Sequence, residues 1–136
     1  MARQLRDETK SIALACGLLE DSGRALFLVR RSQDGKELLE LPCARVFPGD
    51  DPMSKATGAF KAQSGIDAHS AGVALESRHN AGSRKKKHYV PVLVFRMEAK
   101  NKTARPSGEF SGFRWLPLAE AKRLRLGRNA EWLRPA

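Results

Sequence analysis

The stretch that decides the fold is ELPCARVFPGDDPMSKATGAFKAQSGID, residues 40–67. Pro52 suits the first turn of a helix, where an amide hydrogen has no partner within the helix. Gly65 is typical of the position where a helix ends. Three residues recur at helical spacing and predict one apolar face: Met53, Ala56 and Phe60. The stretch therefore predicts a loop, a helix over residues 51–64 and a second loop.

Apolar runs on both sides of this stretch predict a sheet. Residues 11–19 and 24–30 are nearly continuous apolar runs joined by an Asp-Ser-Gly turn, which indicates a β-hairpin with buried strands. Pro91 falls inside the strongest strand signal and predicts an edge position or a bulge there. The other expected elements are strands over residues 38–41, 73–78, 88–97 and 110–116, a helix over residues 117–127 and a short turn at 129–133. This order predicts an α+β fold, a mixed sheet flanked by helices.

The length and composition predict one globular domain. The chain has 136 residues, of which 41% are apolar and 29% charged. We expect a single domain over residues 1–136, with a flexible N-terminal segment at residues 1–10. No apolar run approaches the ~20 residues of a membrane span, and the N-terminus lacks the apolar core of a signal peptide. We therefore expect a cytoplasmic protein without a membrane span.

Cysteine and histidine give no sign of a metal site. Cys16 and Cys43 lie far apart and form no CxxC pair. The sequence therefore predicts two reduced, partly buried thiols rather than a disulfide or a zinc site. His69, His79 and His88 have no spacing typical of metal ligands.

Basic residues outnumber acidic ones, with 25 Lys and Arg against 15 Asp and Glu and a formal net charge of +10. This balance concentrates anions such as nucleotides and nucleic acids near the protein, although a basic surface also serves solubility alone. Two clusters stand out: Arg84, Lys85, Lys86 and Lys87 before the strongest strand, and Lys122, Arg123, Arg125 and Arg128 around the last helix. Aromatic residues that can stack on bases are few: Tyr89, Trp115 and Trp132.

The order of these elements resembles the Nudix hydrolases. The resemblance rests on the hairpin ALACGLLEDSGRALFLVRR, the entry ELP, the loop VFPGDDP, the exit SGID and the ending FRWLPLAEA. It implies an α/β/α sandwich with a mixed sheet. It also implies an enzyme that cleaves pyrophosphate bonds in nucleoside diphosphates linked to another group, with Mg²⁺ or Mn²⁺. The family's signature is GX5EX7REUXEEXGU, with U aliphatic, and carboxylates are the oxygen ligands that Mg²⁺ prefers.

The signature is only partly matched. Gly65 and Ile66 fit its closing pair, whereas Ala44 replaces its first glycine and Asp50 replaces its first glutamate. Removing one metal ligand or its support can cost ~10–100-fold in affinity or activity. The positions of the signature's Arg-Glu and Glu-Glu pairs hold Gly58, Ala59, Ala62 and Gln63. We therefore expect little or no hydrolysis and no metal cofactor bound with high affinity.

Other acidic residues keep a hydrolase open as an alternative. Asp50 is a candidate metal ligand. Glu109 lies where some members carry a further glutamate, in a late loop, that binds metal or acts as a general base. Both are catalytic candidates only in this alternative, with Mg²⁺ or Mn²⁺ as cofactor. In the other interpretation Glu40, Glu76 and Glu109 are surface carboxylates, and Asp50 supports the N-terminus of the helix.

The resemblance also suggests which basic residues contact a ligand. The stretch KHYVPVLVF resembles a strand of the Nudix branch that acts on diphosphoinositol phosphates and dinucleoside polyphosphates. Such ligands are dense in phosphate, which cations bind well. By this analogy the predicted ligand-binding residues are Arg30, Arg31, Arg45, Arg84, Lys85, Lys86 and Lys87.

Three functions follow from these observations. The first is a Nudix-like domain with a degraded catalytic signature, which binds a nucleotide, polyphosphate or nucleic acid with little or no hydrolysis. The second is an active metal-dependent pyrophosphohydrolase that uses displaced acidic residues. The third is a protein-interaction scaffold. The expected partner is a phosphate-bearing small molecule or a nucleic acid, and the resemblance also allows a homodimer.

Overall fold

The computed structural model describes residues 10–134. The predicted flexible segment, residues 1–10, lies outside this range apart from Lys10. The strands are β1 (Ala13–Asp21), β2 (Arg24–Arg31), β3 (Glu37–Glu40), β4 (Cys43–Val46), β5 (His69–Asn80), β6 (Tyr89–Glu98) and β7 (Gly112–Leu116). The helices are α1 (Pro52–Ser64), α2 (Leu118–Ala121) and a C-terminal 3-10 helix (Arg128–Leu133).

Strand β1 is central because it is apolar along almost its whole length. Its residues from Ala13 to Leu19 are buried, as expected for a strand covered on both faces. It pairs in parallel with β6 and antiparallel with β4 and β2. The strand order is β3-β2-β1-β6-β5, with β4 added beside β1 and β7 beside β2. The predicted mixed sheet is therefore confirmed.

The predicted hairpin forms at β1 and β2, although the two strands pair only near the turn. Glu20 lies opposite Ala25 and Asp21 opposite Arg24. The turn residues between them, 22 and 23, both have positive φ, which matches the right-handed twist of a tight hairpin. Beyond the turn the strands separate, since β1 pairs with β4 and β6 while β2 pairs with β3 and β7.

Helices cover both faces of the sheet, as predicted for an α/β/α sandwich. Ala56 and Phe60 of α1 are fully buried in one apolar layer. The approach is close because Gly17 of β1 has no side chain, and a Cβ there would lie 2.5 Å from Phe60 Cδ2. On the other face, Ala121 and Leu133 of the C-terminal helices close a second layer. Within residues 10–134, no helix is both long and apolar enough to cross a membrane.

The last α-helix is shorter than predicted. It ends at Ala121 instead of continuing to Gly127, because the chain then becomes extended beside β3. Leu39 N donates a hydrogen bond to Arg125 O (2.9 Å), and Gly127 N donates one to Leu39 O (2.8 Å). Backbone groups that bond to β3 in this way are not available to a helix, which explains the early end.

Pro91 lies in an interior strand, so the predicted edge position or bulge is wrong. Its strand, β6, lies between β1 and β5. The ladder with β1 begins at Leu14 and Val92, one residue after Pro91, which has no amide hydrogen to donate. The irregular pairing lies instead in β5, between Ser70 and Leu75.

The prediction of two reduced thiols is also wrong. A strand that the sequence did not indicate, β4, begins immediately after Pro42. This strand sets Cys43 directly opposite Cys16 of β1, with their Cα atoms 4.1 Å apart, and a disulfide joins them. The distance between the cysteines along the chain gave no sign of this register.

Candidate functional site

Helix α1 is held at both ends by local bonds. The Asp51 carboxylate accepts hydrogen bonds from the backbone N of Ser54 (3.1 Å) and from its hydroxyl (2.6 Å). These bonds hold the pKa of Asp51 below its ordinary value. At the other end Gly65 adopts the left-handed conformation, with φ 75°, which ends the helix at little steric cost. The acidic residue next to the helix therefore serves as its N-cap.

The positions of α1 that the Nudix signature would make charged hold small, uncharged residues. From Pro52 to Ser64 the helix contains no Asp or Glu. Gly58 and Ala62 are exposed, and Ala59 is half-buried. A Cβ added at Gly58 would meet no atom within 4 Å. These positions hold no side chain that offers oxygen to a cation.

Gln63, the last of the four signature positions, is bonded to the backbone of β4. Its Oε1 accepts a hydrogen bond from Cys43 N (3.3 Å), and its Nε2 donates one to Cys43 O (2.9 Å). Only an amide can make both bonds at neutral pH, because a carboxylate has no donor. Gln63 thus links the end of α1 to the strand that carries the disulfide.

The two candidate catalytic acids have different partners. The Asp50 carboxylate accepts a hydrogen bond from Phe47 N (3.0 Å), within a turn closed by Asp50 N and Phe47 O (2.9 Å). Glu109 accepts a hydrogen bond from Ser107 Oγ (3.3 Å) and pairs with Arg30 Nη2 (3.4 Å). Among residues 10–134, no group of three or more Asp, Glu, His and Cys side chains could hold a metal ion. A joint metal site of Asp50 and Glu109 stays a prediction.

Arg30 is the centre of an ionic cluster near the entry loop. Its Nε donates to Glu40 Oε1 (3.0 Å), and its guanidinium lies 4.7 Å from the centre of the Phe110 ring. Burial alone would lower the pKa of Arg30, but hydrogen bonds and attraction from Glu40 and Glu109 outweigh it and raise the pKa. Glu40 is only 5% exposed, so it is not the surface carboxylate of the sequence interpretation. Arg30 is thus already paired with two acids.

Two other predicted ligand-binding arginines lie in different surroundings. Arg31 Nη1 donates to Gly35 O (3.0 Å) and braces the turn between β2 and β3. Arg45 lies on β4, opposite Leu14 of β1, and is half-buried. These positions do not bring Arg31 and Arg45 into the loop that carries the dense basic cluster.

The basic loop, residues 84–87, is a structured turn between β5 and β6. Asn80 Oδ1 accepts hydrogen bonds from Gly82 N (3.0 Å) and His88 N (2.9 Å) at its base. Ser83 closes the tip, since its N donates to Lys86 O (3.0 Å) and its Oγ accepts from Lys86 N (2.9 Å). All four cationic side chains, from Arg84 to Lys87, are exposed. The fold therefore presents them together to solvent.

A cleft of about 490 Å³ opens beside the basic loop, between the β5–β6 hairpin and the C-terminal 3-10 helix. The Arg78 guanidinium lies 4.8 Å from the centre of the Tyr89 ring on its wall. Arg128 Nη2 donates to Ala81 O (3.2 Å) and Gly82 O (2.6 Å), which ties the 3-10 helix to the hairpin. The cleft is lined by Arg78, His79, Asn80, Gly82, Ser83, Arg84, Tyr89, Arg128, Glu131 and Trp132.

Sequence reasoning found part of this cleft. It singled out Arg84, and it named Tyr89 and Trp132 as aromatic residues able to stack, without bringing them together. It missed Arg78. The available signal was the alternation of exposed and half-buried residues along β5, which places Arg78 on an exposed side. Arg128 belonged to a separate predicted cluster at the C-terminus.

The architecture is that of an α/β/α sandwich in which a loop-helix-loop segment lies against a mixed sheet. The family model of the NUDIX domain matches residues 9–135. The chain therefore belongs to the Nudix family. Comparison with curated proteins gives no match.

Solved structures of similar fold agree with this assignment. The solution structure of the E. coli ORF135 protein is 17% identical, with a TM-score of 0.71, covering 91% of this chain and 86% of that one. A possible asymmetric diadenosine tetraphosphate hydrolase from Jonesia denitrificans is 12% identical, with a TM-score of 0.68 and coverage of 90% and 89%. An ADP-ribose pyrophosphatase from Streptococcus suis is 16% identical, with a TM-score of 0.62 and coverage of 89% and 85%. At these identities the likeness shows the fold alone.

Proposed function

We propose that this Nudix domain binds a phosphate-bearing ligand, such as a nucleotide, a polyphosphate or a nucleic acid, and hydrolyses it slowly or not at all. The observation that carries the proposal is the face of α1. Gly58 and Ala62 stand where the family resemblance implies charged side chains, and Gln63 is engaged with the backbone of Cys43. A hard cation such as Mg²⁺ needs several oxygen ligands, and these residues do not fit it.

The basic cleft supports the binding half of the proposal. Arg78 and Arg84 line it, and so does the aromatic ring of Tyr89, a residue that is 49% exposed. Cations attract phosphate oxygens, and an aromatic ring stacks on a base. Lys85 to Lys87 extend the same positive surface into solvent. This combination favours a ligand that contains both phosphate and a planar ring.

The test is a titration with and without Mn²⁺, using ADP-ribose, diadenosine tetraphosphate and a single-stranded oligonucleotide as probes. NMR chemical shifts of the backbone report binding, and phosphate release reports hydrolysis. We expect the largest shifts in residues 78–89, binding without added metal, and no turnover at ordinary enzymatic rates. Arg84→Ala should weaken binding, whereas Arg96→Ala, which removes an exposed charge from β6 outside the cleft, should not.

Three results would contradict the proposal, each in its own way. Metal-dependent turnover that is lost in Asp50→Asn or Glu109→Gln would establish the hydrolase alternative. Chemical-shift changes around Asp50 and α1, and not in the β5–β6 hairpin, would show that the ligand binds at the signature positions of α1 instead. Absence of binding to every probe at low salt would favour the protein-interaction scaffold, because electrostatic attraction is strongest there.

A further inference from the structure

Strand β5 is the terminal strand of the sheet in the part of the chain that the structure describes. It is 12 residues long, and alternate side chains along it are exposed. The bulged pairing between Ser70 and Leu75 disturbs its first half, as bulges commonly do at sheet edges. From Leu75 to Asn80 the pairing with β6 is regular. This second half offers a straight edge for another strand.

The hydrogen bonds of the hairpin show which residues face that edge. Ala81 N donates to His88 O (2.7 Å), so the backbone groups of Ala81 are directed to the β6 side. Because these groups alternate in an antiparallel ladder, the odd-numbered residues of the regular segment also bond to β6. Glu76 and Arg78 therefore direct their N–H and C=O groups outward, and both side chains are exposed.

Charge distinguishes between the ways in which two copies of this edge can pair. In an antiparallel pairing with two-fold symmetry, outward-facing residues must lie opposite one another. If Glu76 faces Glu76, or Arg78 faces Arg78, like charges are opposed across the strands, which is destabilising. If the two-fold axis passes through Ser77, each Glu76 faces the Arg78 of the other copy. That register brings two opposite-charge pairs together.

We propose that the chain forms a homodimer by antiparallel pairing of β5 with β5, with the two-fold axis at Ser77. The sheet then continues from one copy into the next. The Arg78 guanidinium is already held over the Tyr89 ring, which limits the side-chain freedom lost on pairing. Arg78 also lines the basic cleft, whereas Glu76 does not. The test is therefore run without ligand, and it relies on Glu76→Arg, which leaves the lining of the cleft unchanged.

The high positive charge of the chain does not oppose this arrangement. The basic loops lie about eight residues from Ser77 along each hairpin, so the antiparallel register places them about 50 Å apart at ~3.4 Å per residue. The Debye length is about 8 Å at physiological ionic strength. The loops are therefore screened from one another and remain accessible at opposite ends of the dimer.

Charge exchange across the axis tests the register. Sedimentation equilibrium of the full chain should show a reversible monomer–dimer equilibrium. Glu76→Arg turns both attractive pairs into repulsive ones and should raise the dimer Kd by about tenfold or more. The double variant Glu76→Arg/Arg78→Glu restores opposite charges and should bring the Kd back to within about threefold of wild type. Glu20→Arg makes the same charge change at an exposed position in β1 and should leave the Kd unchanged.

Each other outcome overturns the proposal. A wild-type chain that stays monomeric at about 100 μM has no dimer of useful affinity. A dimer that is indifferent to Glu76→Arg uses another surface. A dimer lost in the single variant and not restored in the double variant uses another register. All three substituted side chains are exposed, so every variant should fold, and circular dichroism checks this.

Discussion

Replacing Gln63 with glutamate would restore a Nudix signature residue, and the structure predicts that it destabilises the fold. The side-chain amide of Gln63 spans both backbone groups of Cys43, with its Oε1 3.3 Å from N and its Nε2 2.9 Å from O. In Gln63→Glu the bond from Cys43 N survives, because a carboxylate oxygen still accepts it. The second bond becomes a contact between two oxygen atoms.

The size of the effect follows from that lost donor. A hydrogen bond contributes about 1 kcal/mol, and leaving a partly buried carbonyl without its donor costs about 1 kcal/mol more. Gln63 is half-buried, so water only partly replaces the bond. We expect the free energy of unfolding at pH 7 to fall by about 2 kcal/mol. Urea denaturation, followed by tryptophan fluorescence, measures this difference.

The same variant should recover as the pH is lowered. Only a protonated carboxyl group can donate to the Cys43 carbonyl, so folding raises the pKa of the introduced group above the usual glutamate value of about 4.3. A deficit of about 2 kcal/mol corresponds to a rise of about 1.5 units. The stabilisation by the protonated carboxyl group is fully present below the pKa of the unfolded state and is lost as the pH rises through the pKa of the folded state. The deficit should therefore shrink between about pH 6 and pH 4.

Ala62→Glu is the matched control, since it adds the same carboxylate one residue earlier at an exposed position. Its effect should stay within about 0.5 kcal/mol at pH 7 and should lack the recovery at low pH. Equal stability of the two variants at both pH values would show that the bonds between Gln63 and Cys43 are not structural. The signature position would then be free to hold a carboxylate.

Further predictions concern glycines and the cap of α1. Gly58→Ala should raise the free energy of unfolding by about 0.5–1 kcal/mol, because a Cβ there meets no atom within 4 Å. Gly127→Ala should lower the free energy of unfolding by about 1–3 kcal/mol, because the added Cβ would lie 2.5 Å from Glu40 Cγ. Urea denaturation measures both glycine variants, and a change of the same sign in the two would contradict the packing argument. Asp51→Ala should lower the melting temperature by removing the bonds from Ser54. Those bonds lower the pKa of Asp51 from its ordinary value. The wild-type advantage is therefore present above the pKa of the unfolded state and is lost as the pH falls through the pKa of the folded state.

The parts of the fold that were predictable from the sequence are the local ones. The turn of the first hairpin and both ends of α1 depend on residues within a few positions of one another. The register that joins Cys16 to Cys43, by contrast, pairs residues 27 apart. The early end of α2 has the same cause, because Leu39 takes up the backbone of Arg125 and Gly127. Local pattern does not reveal which distant strand competes for those groups.

The candidate site was predictable as a list of charges and not as a geometry. The basic loop was evident, because four cations are consecutive in the sequence. The cleft beside it needs Arg78 from β5, Tyr89 from β6 and Trp132 from the 3-10 helix. Arg30 shows the reverse, since a cation predicted to bind a ligand is paired with Glu40 and Glu109. A count of charges cannot distinguish a cation that is able to bind a ligand anion from one that is already paired with an acidic side chain.

The two faces of α1 explain how a Nudix fold can persist without an acidic signature. Ala56 and Phe60 are fully buried and supply the packing that holds the helix on the sheet. Gly58 and Ala62 lie on the exposed side, so their identity changes little of the apolar area that folding buries. Carboxylates at the glutamate positions of the signature, 59, 62 and 63, would add like-charge repulsion along the helix, which a bound cation offsets. The fold therefore depends on the buried face of α1, and the residues of the exposed face can differ without loss of that packing.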